Sequence, residues 1–183
     1  MTAVLITGTP GTGKTTASKI AAKKLQSSLV AVNDLVNDEN IYNGYDPEKG
    51  YKIVDLNALS RIIEVKLKDS NDNNLIIEGH LAHTFENDDL VDLVIVLRAR
   101  PDILRKRLNN RGWTDSKVQE NIEAEALDIC TFEAVEIHGE KVNELDTSDI
   151  DVEEVAEVIV EIIKYKKHFP PGNLNFLKDL YEI

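Results

Sequence analysis

The stretch Gly8-Thr9-Pro10-Gly11-Thr12-Gly13-Lys14-Thr15 has the spacing G-x-x-x-x-G-K-[ST]. It constrains the fold more than any other part of the chain, because such a loop needs a strand before it and a helix after it. The apolar run Ala3-Val4-Leu5-Ile6 supplies the strand, and Ala17, Ile20, Ala21 and Leu25 recur at helical spacing behind the loop. The glycines let the backbone curl until successive N–H groups point inward. Amides and a helix N-terminus then face the phosphate oxygens of a bound nucleotide. Lys14 adds a mobile cation for the β- and γ-phosphates, and the Thr15 hydroxyl can ligate Mg²⁺.

Four more strands are predicted: Ser28 to Val32, Leu75 to Ile77, Asp92 to Leu97 and Lys141 to Leu145. Strands alternating with helices argue for an α/β, three-layer P-loop NTPase fold with a five-stranded parallel sheet, in one domain over residues 1–183. In an open parallel sheet, ligands are held at the carboxyl ends of the strands. Strand two ends at Asn33 and Asp34, where a second substrate is met unless these residues only cap the next helix. Strand three ends at Glu78-Gly79-His80. Glu78 is the candidate to hold Mg²⁺ or its waters, and His80 to position a water or a substrate group. His83 completes an H-x-x-H pair, too few ligands to argue for a metal of its own.

Between Asp38 and Asp55 the periodicity dissolves into Asp, Asn, Gly, Pro and Tyr, which reads as a long surface excursion of the lid or binding-loop kind. A helix bearing Leu56, Leu59, Ile63 and Leu67 follows, with Asp55 as its cap, and Asn71 to Asn74 form a turn cluster. Beyond the basic stretch, one long helix is predicted from Thr114, with Val118, Ile122, Ala126, Ile129 and Val135 on one face. Cys130 on it reads as a small buried hydrophobe. Asp146-Thr147-Ser148 is a turn where backbone groups meet a nucleotide base. Val152, Val155, Ile159, Ile162 and Ile163 mark the last long helix. Residues 173–183 are a short amphipathic segment, to pack on the domain or on another subunit.

Charge narrows the class of partner. The net charge is −12, from 33 acidic and 21 basic residues, yet the first 33 residues carry Lys14, Lys19, Lys23 and Lys24 and no acid. A second basic island holds Arg98, Arg100, Arg105, Lys106, Arg107 and Arg111 against the single Asp102. An acidic shell with two basic islands suits a small polyanion. It disfavours direct nucleic acid binding. Arg107 and Arg111 are four apart and share a helical face, from which an arginine can close over transferring phosphates. One cysteine excludes an internal disulfide. With no apolar run of about 20 residues, a cytoplasmic protein without a membrane segment is expected.

The phosphate loop, Asn33-Asp34-Leu35, the Ile41-Tyr42-Asn43-Gly44-Tyr45-Asp46 loop and Gly79-His80 are one part of a resemblance that covers most of the chain. Val96-Leu97-Arg98, Arg107-Leu108, Arg111-Gly112-Trp113 and Asn121-Ile122-Glu123 complete it. Together they resemble the adenylate kinase isoenzyme 6 family, also called coilin-interacting nuclear ATPase. The resemblance implies a nucleoside monophosphate kinase-like fold with adenylate kinase and ATPase activity, and a role in small-subunit ribosomal RNA maturation with a basic small-subunit ribosomal protein as partner. It implies ATP on Gly11, Gly13, Lys14, Thr15 and Thr16, AMP in the region 33–55, and a short lid at 110–120 with Arg111 on the phosphates. Two positions depart from the family pattern. Glu78-Gly79-His80 stands where Asp-x-His is common, and Ser148-Asp149 where a lysine often follows the last strand. The alternatives are an ATP-driven assembly factor with little kinase activity and a kinase for another small acceptor. The latter stays open because residues 26–48 contain no Lys or Arg.

Overall fold

A computed structural model describes residues 2–47, 50–70 and 74–181. The first strand, β1 (Thr2–Thr7), is buried from Ala3 onward and runs through the phosphate loop into α1 (Lys14–Leu25). Next come β2 (Ser28–Ala31) and α2 (Val32–Asp38), then β3 (Tyr42–Asp46) and β4 (Tyr51–Val54). The chain continues through α3 (Leu56–Asp69), β5 (Asn74–Glu78), β6 (Leu93–Arg98) and α4 (Pro101–Asn109). It closes with α5 (Asp115–Ala126), α6 (Ile129–His138), β7 (Val142–Asp146) and α7 (Val152–Tyr165).

Five strands form one parallel sheet in the order β2-β5-β1-β6-β7, as the alternating pattern predicts. Alternate residues of β1 enter opposite layers. Ala3 and Leu5 pack with Val32, Ile63, Leu67 and Ile77, whereas Val4 and Ile6 pack with Ala17, Ala21, Ile159 and Ile163. Cover on both faces explains why these strands read as continuous apolar runs. Because β1 lies between β5 and β6, the phosphate loop opens where the strand order reverses, the usual ligand crevice of such sheets. The Asp55 carboxylate caps α3, as expected, by accepting from the Ala58 amide at 2.9 Å, and Pro101 opens α4.

Two sequence expectations are corrected. The excursion from Asp38 to Asp55 is not structureless: β3 and β4 pair antiparallel, Tyr42 opposite Val54 and Asp46 opposite Tyr51. Neither face of this hairpin is buried, so no alternation of apolar residues marks it. The long helix from Thr114 is two helices, because Asp128 takes a left-handed φ of 58° between them. Aspartate tolerates that conformation. The break turns Ile129 and Val135 outward, 40% and 37% exposed. Asn71 to Asn73 of the turn cluster lie outside the described residues. Up to residue 181, the C-terminal segment packs on the domain through buried Phe176 and through Leu180 beside Leu104, Leu108 and Trp113. Among the described residues no helix is long and apolar enough to cross a membrane.

Arg98, expected in a basic island, is 1% exposed. Its Nε donates to Glu125 Oε1 at 2.7 Å and its Nη1 to Glu144 Oε1 at 2.6 Å and Thr131 Oγ1 at 3.1 Å. Nη2 donates to the Glu125 carbonyl at 2.9 Å and to the Asp128 carboxylate. The Phe176 ring lies 5.2 Å from the guanidinium. One side chain thus ties β6, α5, α6, β7 and the C-terminal segment together. Arg98→Met leaves Glu125 and Glu144 buried without their cation, a change of about 3–5 kcal/mol. Thermal unfolding is expected to fall by about 10 °C; an unchanged transition refutes a structural role for this ion cluster.

Candidate active site

The phosphate loop is held from behind. A side chain at Gly8, where φ is 132°, would place its Cβ 2.2 Å from the Leu97 carbonyl oxygen, and one at Gly11, where φ is 100°, would meet Leu104 Cδ1 at 2.6 Å. Only glycine fits against β6 and α4 at these points. Thr147, after β7, adds a brace. Its hydroxyl lies 3.0 Å from the Thr12 carbonyl and 2.9 Å from that of Arg98. Arg107 donates to the Thr147 carbonyl at 2.7 Å and approaches the Gly11 carbonyl at 3.5 Å.

Lys14 is 8% exposed, and its ammonium donates to the Gly8 and Thr9 carbonyls at 2.8 and 3.0 Å. Burial lowers its pKa to about 8. Thr15 and Glu78, the two residues expected at a metal, meet: the Thr15 hydroxyl donates to Glu78 Oε2 at 3.2 Å. Burial raises the Glu78 pKa, Asp34 adds to the shift, and Thr15, Lys14 and Lys19 oppose it. Asp34 therefore approaches the same carboxylate from α2, with Asn33 beside it in the first turn of that helix. A buried carboxylate held above its ordinary pKa beside a hydroxyl is an oxygen pair that fits Mg²⁺. Among the described residues no group of three or more Asp, Glu, His or Cys gathers as a metal site. A cation here needs further oxygens from a nucleotide and from water.

His80 follows on the same strand end. Burial first, then Lys14 and His83, lower its pKa to about 4, so the ring is neutral at pH 7 and acts as a neutral hydrogen-bond partner rather than a cation. His83 is structural. Its Nε2 donates to Glu133 Oε2 at 2.9 Å, and its Nδ1 lies 2.6 Å from the Thr7 hydroxyl. Burial raises the Cys130 thiol pKa to about 11, which leaves it inert.

The basic island divides. Arg98 is buried, Arg100 pairs with Asp149 and Asp102, Arg105 donates to Gln119 at 2.9 Å, and Lys106 lies 3.6 Å from Asp102. Arg107 and Arg111 alone face the loop, on a cleft of about 380 Å³ that also exposes Gly11, Gly13, Thr16 and Thr147. Arg111 sits close enough to both Lys14 and Arg107 to lower their pKa values. Residues 110–114 are the turn into α5, and the first turns of α5 meet the hairpin: Tyr51 Oη donates to Glu120 at 3.1 Å, and Lys117 Nζ lies 4.4 Å from the Tyr51 ring and 4.6 Å from that of Trp113. The bracing roles of Thr147 and Arg107 escaped the sequence reading, since a lone Thr in a turn and an Arg in a charged run carry no signal of their partners.

Residues 4–128 match the model of an AAA domain family. The chain is 41% identical to a protein named "Putative adenylate kinase" from Methanothermobacter thermautotrophicus, over 94% of this chain and 96% of that one. A protein of the same name from Methanocaldococcus jannaschii is 37% identical over 90% of this chain and 87% of its own. The chain belongs to this AAA-domain family. Its fold is shared with the shikimate kinase of Acinetobacter baumannii, solved with shikimate, at a TM-score of 0.65 and 15% identity over 91% of this chain and 95% of that one. The matched residues 4–128 include the loop from Gly8 to Thr15, around which the other candidate residues gather.

A phosphate beside Lys14 favours the ammonium form and restores its proton. With the free side chain near pKa 8, ATP binding at pH 8 is expected to take up about half a proton. Uptake vanishes near pH 6.5, where Lys14 is already charged, and affinity falls as pH rises above 8. Calorimetry in buffers of different ionisation enthalpy checks this, with Lys14→Met as the variant that abolishes uptake. Equal uptake by parent and variant assigns the proton elsewhere.

Proposed function

We propose that the chain is an adenylate kinase of the nucleoside monophosphate kinase type, transferring the γ-phosphoryl group of ATP to AMP to give two ADP. The observation that carries this function is the convergence of Lys14, Thr15 and Glu78 at one point, with the 380 Å³ cleft on one side and α2 with its hairpin on the other. The name borne by the archaeal relatives supports AMP as acceptor.

In this function Gly11, Gly13, Lys14, Thr15 and Thr16 hold the ATP phosphates, and Lys14 exchanges its two loop carbonyls for phosphate oxygens. Asn33 and Asp34, within the region 33–55, meet AMP. Thr15 and Glu78 would hold Mg²⁺, which would supply positive charge against the negative charge developing on the phosphate oxygens. The bond from the γ-phosphorus to the leaving ADP oxygen breaks as a bond to the AMP phosphate oxygen forms. Little proton transfer is needed, so positioning and electrostatics dominate. Arg111, exposed on the rim at the head of the 110–120 lid, closes over the transferring group. Neutral His80 orients the incoming oxygen by hydrogen bonding.

A second function, slow ATP hydrolysis driving ribosome assembly in the isoenzyme 6 manner, is supported by the net charge of −12. That charge repels a phosphate backbone and attracts a Lys- and Arg-rich ribosomal protein. The single cysteine fits a reducing, cytoplasmic setting. ADP formation from Mg-ATP, with and without AMP, separates the two for the parent, His80→Ala and Arg111→Ala. The kinase yields two ADP per AMP consumed, and Arg111→Ala lowers kcat by about a hundredfold or more. His80→Ala lowers the rate with water as acceptor. An AMP-independent rate that rises only with a basic ribosomal protein refutes the kinase.

A further inference from the structure

A nucleoside monophosphate brings a phosphate of nearly two negative charges. In the region 33–55 that would receive it, residues 33–48 carry Asp34, Asp38, Glu39, Asp46 and Glu48 and no Lys or Arg. Unaided, that surface repels the acceptor. The cation arrives from the second strand of the hairpin. Lys52 on β4 donates from Nζ to Asn37 Oδ1 on α2 at 2.7 Å, and the ammonium lies 4.5 Å from the ring centroid of Tyr42 on β3. Successive residues of a strand point to opposite faces. Tyr51 accordingly reaches α5, through Glu120 and Lys117, while Lys52 reaches α2. The hairpin bridges the two walls of the acceptor side.

Asn37 stands four residues after Asn33 and three after Asp34, hence on the same exposed face of α2. Asp34 influences the charge of Glu78. One face of α2 therefore leads from the Glu78 and Thr15 oxygens out to Lys52. Although the chain has 33 acidic residues, none of the described carboxylates pairs with Lys52 within 4 Å. An amide oxygen and an aromatic face orient an ammonium without neutralising it. One of its three donors is used on Asn37, and the others remain for an anion.

We propose that Lys52, held between Asn37 and Tyr42, is the cation that receives the phosphate of the acceptor nucleotide. The assignment rests on the monophosphate acceptor proposed above. It explains how residues 33–48, which lack Lys and Arg, serve such an acceptor, and it makes Asn37 the residue that positions the cation.

The test is the initial rate of ADP formation at saturating Mg-ATP against AMP concentration, with adenosine as a competing ligand that lacks the phosphate. Lys52→Met is expected to raise the KM for AMP by about tenfold or more. The inhibition constant of adenosine stays within about twofold, and Lys52→Arg recovers most of the loss. If parent and Lys52→Met share one KM for AMP, the kinase stands and the assignment to Lys52 is overturned. If AMP and adenosine weaken together, Lys52 only shapes the hairpin and the assignment is likewise overturned. A parent that forms no AMP-dependent ADP overturns the acceptor itself, and Lys52 with it.

Discussion

Arg98 carries a permanent positive charge into the interior at the end of β6, and its five N–H donors each need an acceptor there. Glu125 and Glu144 supply buried carboxylates, Thr131 a hydroxyl and Asp128 a more exposed carboxylate. Glu125 lies on α5, Asp128 between α5 and α6, Thr131 on α6 and Glu144 on β7, so satisfying one guanidinium fixes these three elements against the sheet. The same residue acts through its backbone: its carbonyl accepts from the Thr147 amide at 2.8 Å. Thr147 in turn braces Thr12, and the Leu97 carbonyl next to Arg98 is the surface against which Gly8 must be bare. The phosphate loop keeps its shape because β6 and its ion cluster do not move.

On that support the electrostatics of the loop are poised for an anion. Lys14 is buried, costly to keep charged, and satisfied by carbonyls that a phosphate can replace. Glu78 is pushed in the opposite sense, toward protonation, by the same burial. A nucleotide with a divalent cation relieves both, since each group then meets its opposite charge. Lys14, Arg107 and Arg111 thus form a cluster of positive charge in a chain whose net charge is −12.

The central strands β1, β5 and β6 were legible because both their faces are buried, which leaves an apolar run in the sequence itself. Asp55 as a cap was legible because its signal lies within one turn of the residue concerned. Glu78 and Thr15 were each suggested by their place at a strand end and in the loop, 63 residues apart. The β3–β4 hairpin was not legible, since a ribbon exposed on both sides imposes no period on its side chains. Asp128 looked like one more helical polar residue, and its left-handed turn follows from a partner thirty positions away. Arg98 looked like its neighbours Arg100 and Arg105, because residue type reports charge and says nothing of burial.

The sequence by itself determined the sheet and the strand, loop and helix around Gly8 to Thr15, and it pointed to the carboxyl edge as the candidate place for chemistry. These depend on local spacing, on apolar periodicity and on the backbone freedom of a few glycines. Only the tertiary structure decided which basic residues are structural and which face the loop. It also sorted His80 from His83 and brought Lys52 from the hairpin to α2. The physical reason is that a charge is assigned its role by its partners and its burial, and both are set by contacts between residues far apart in the chain.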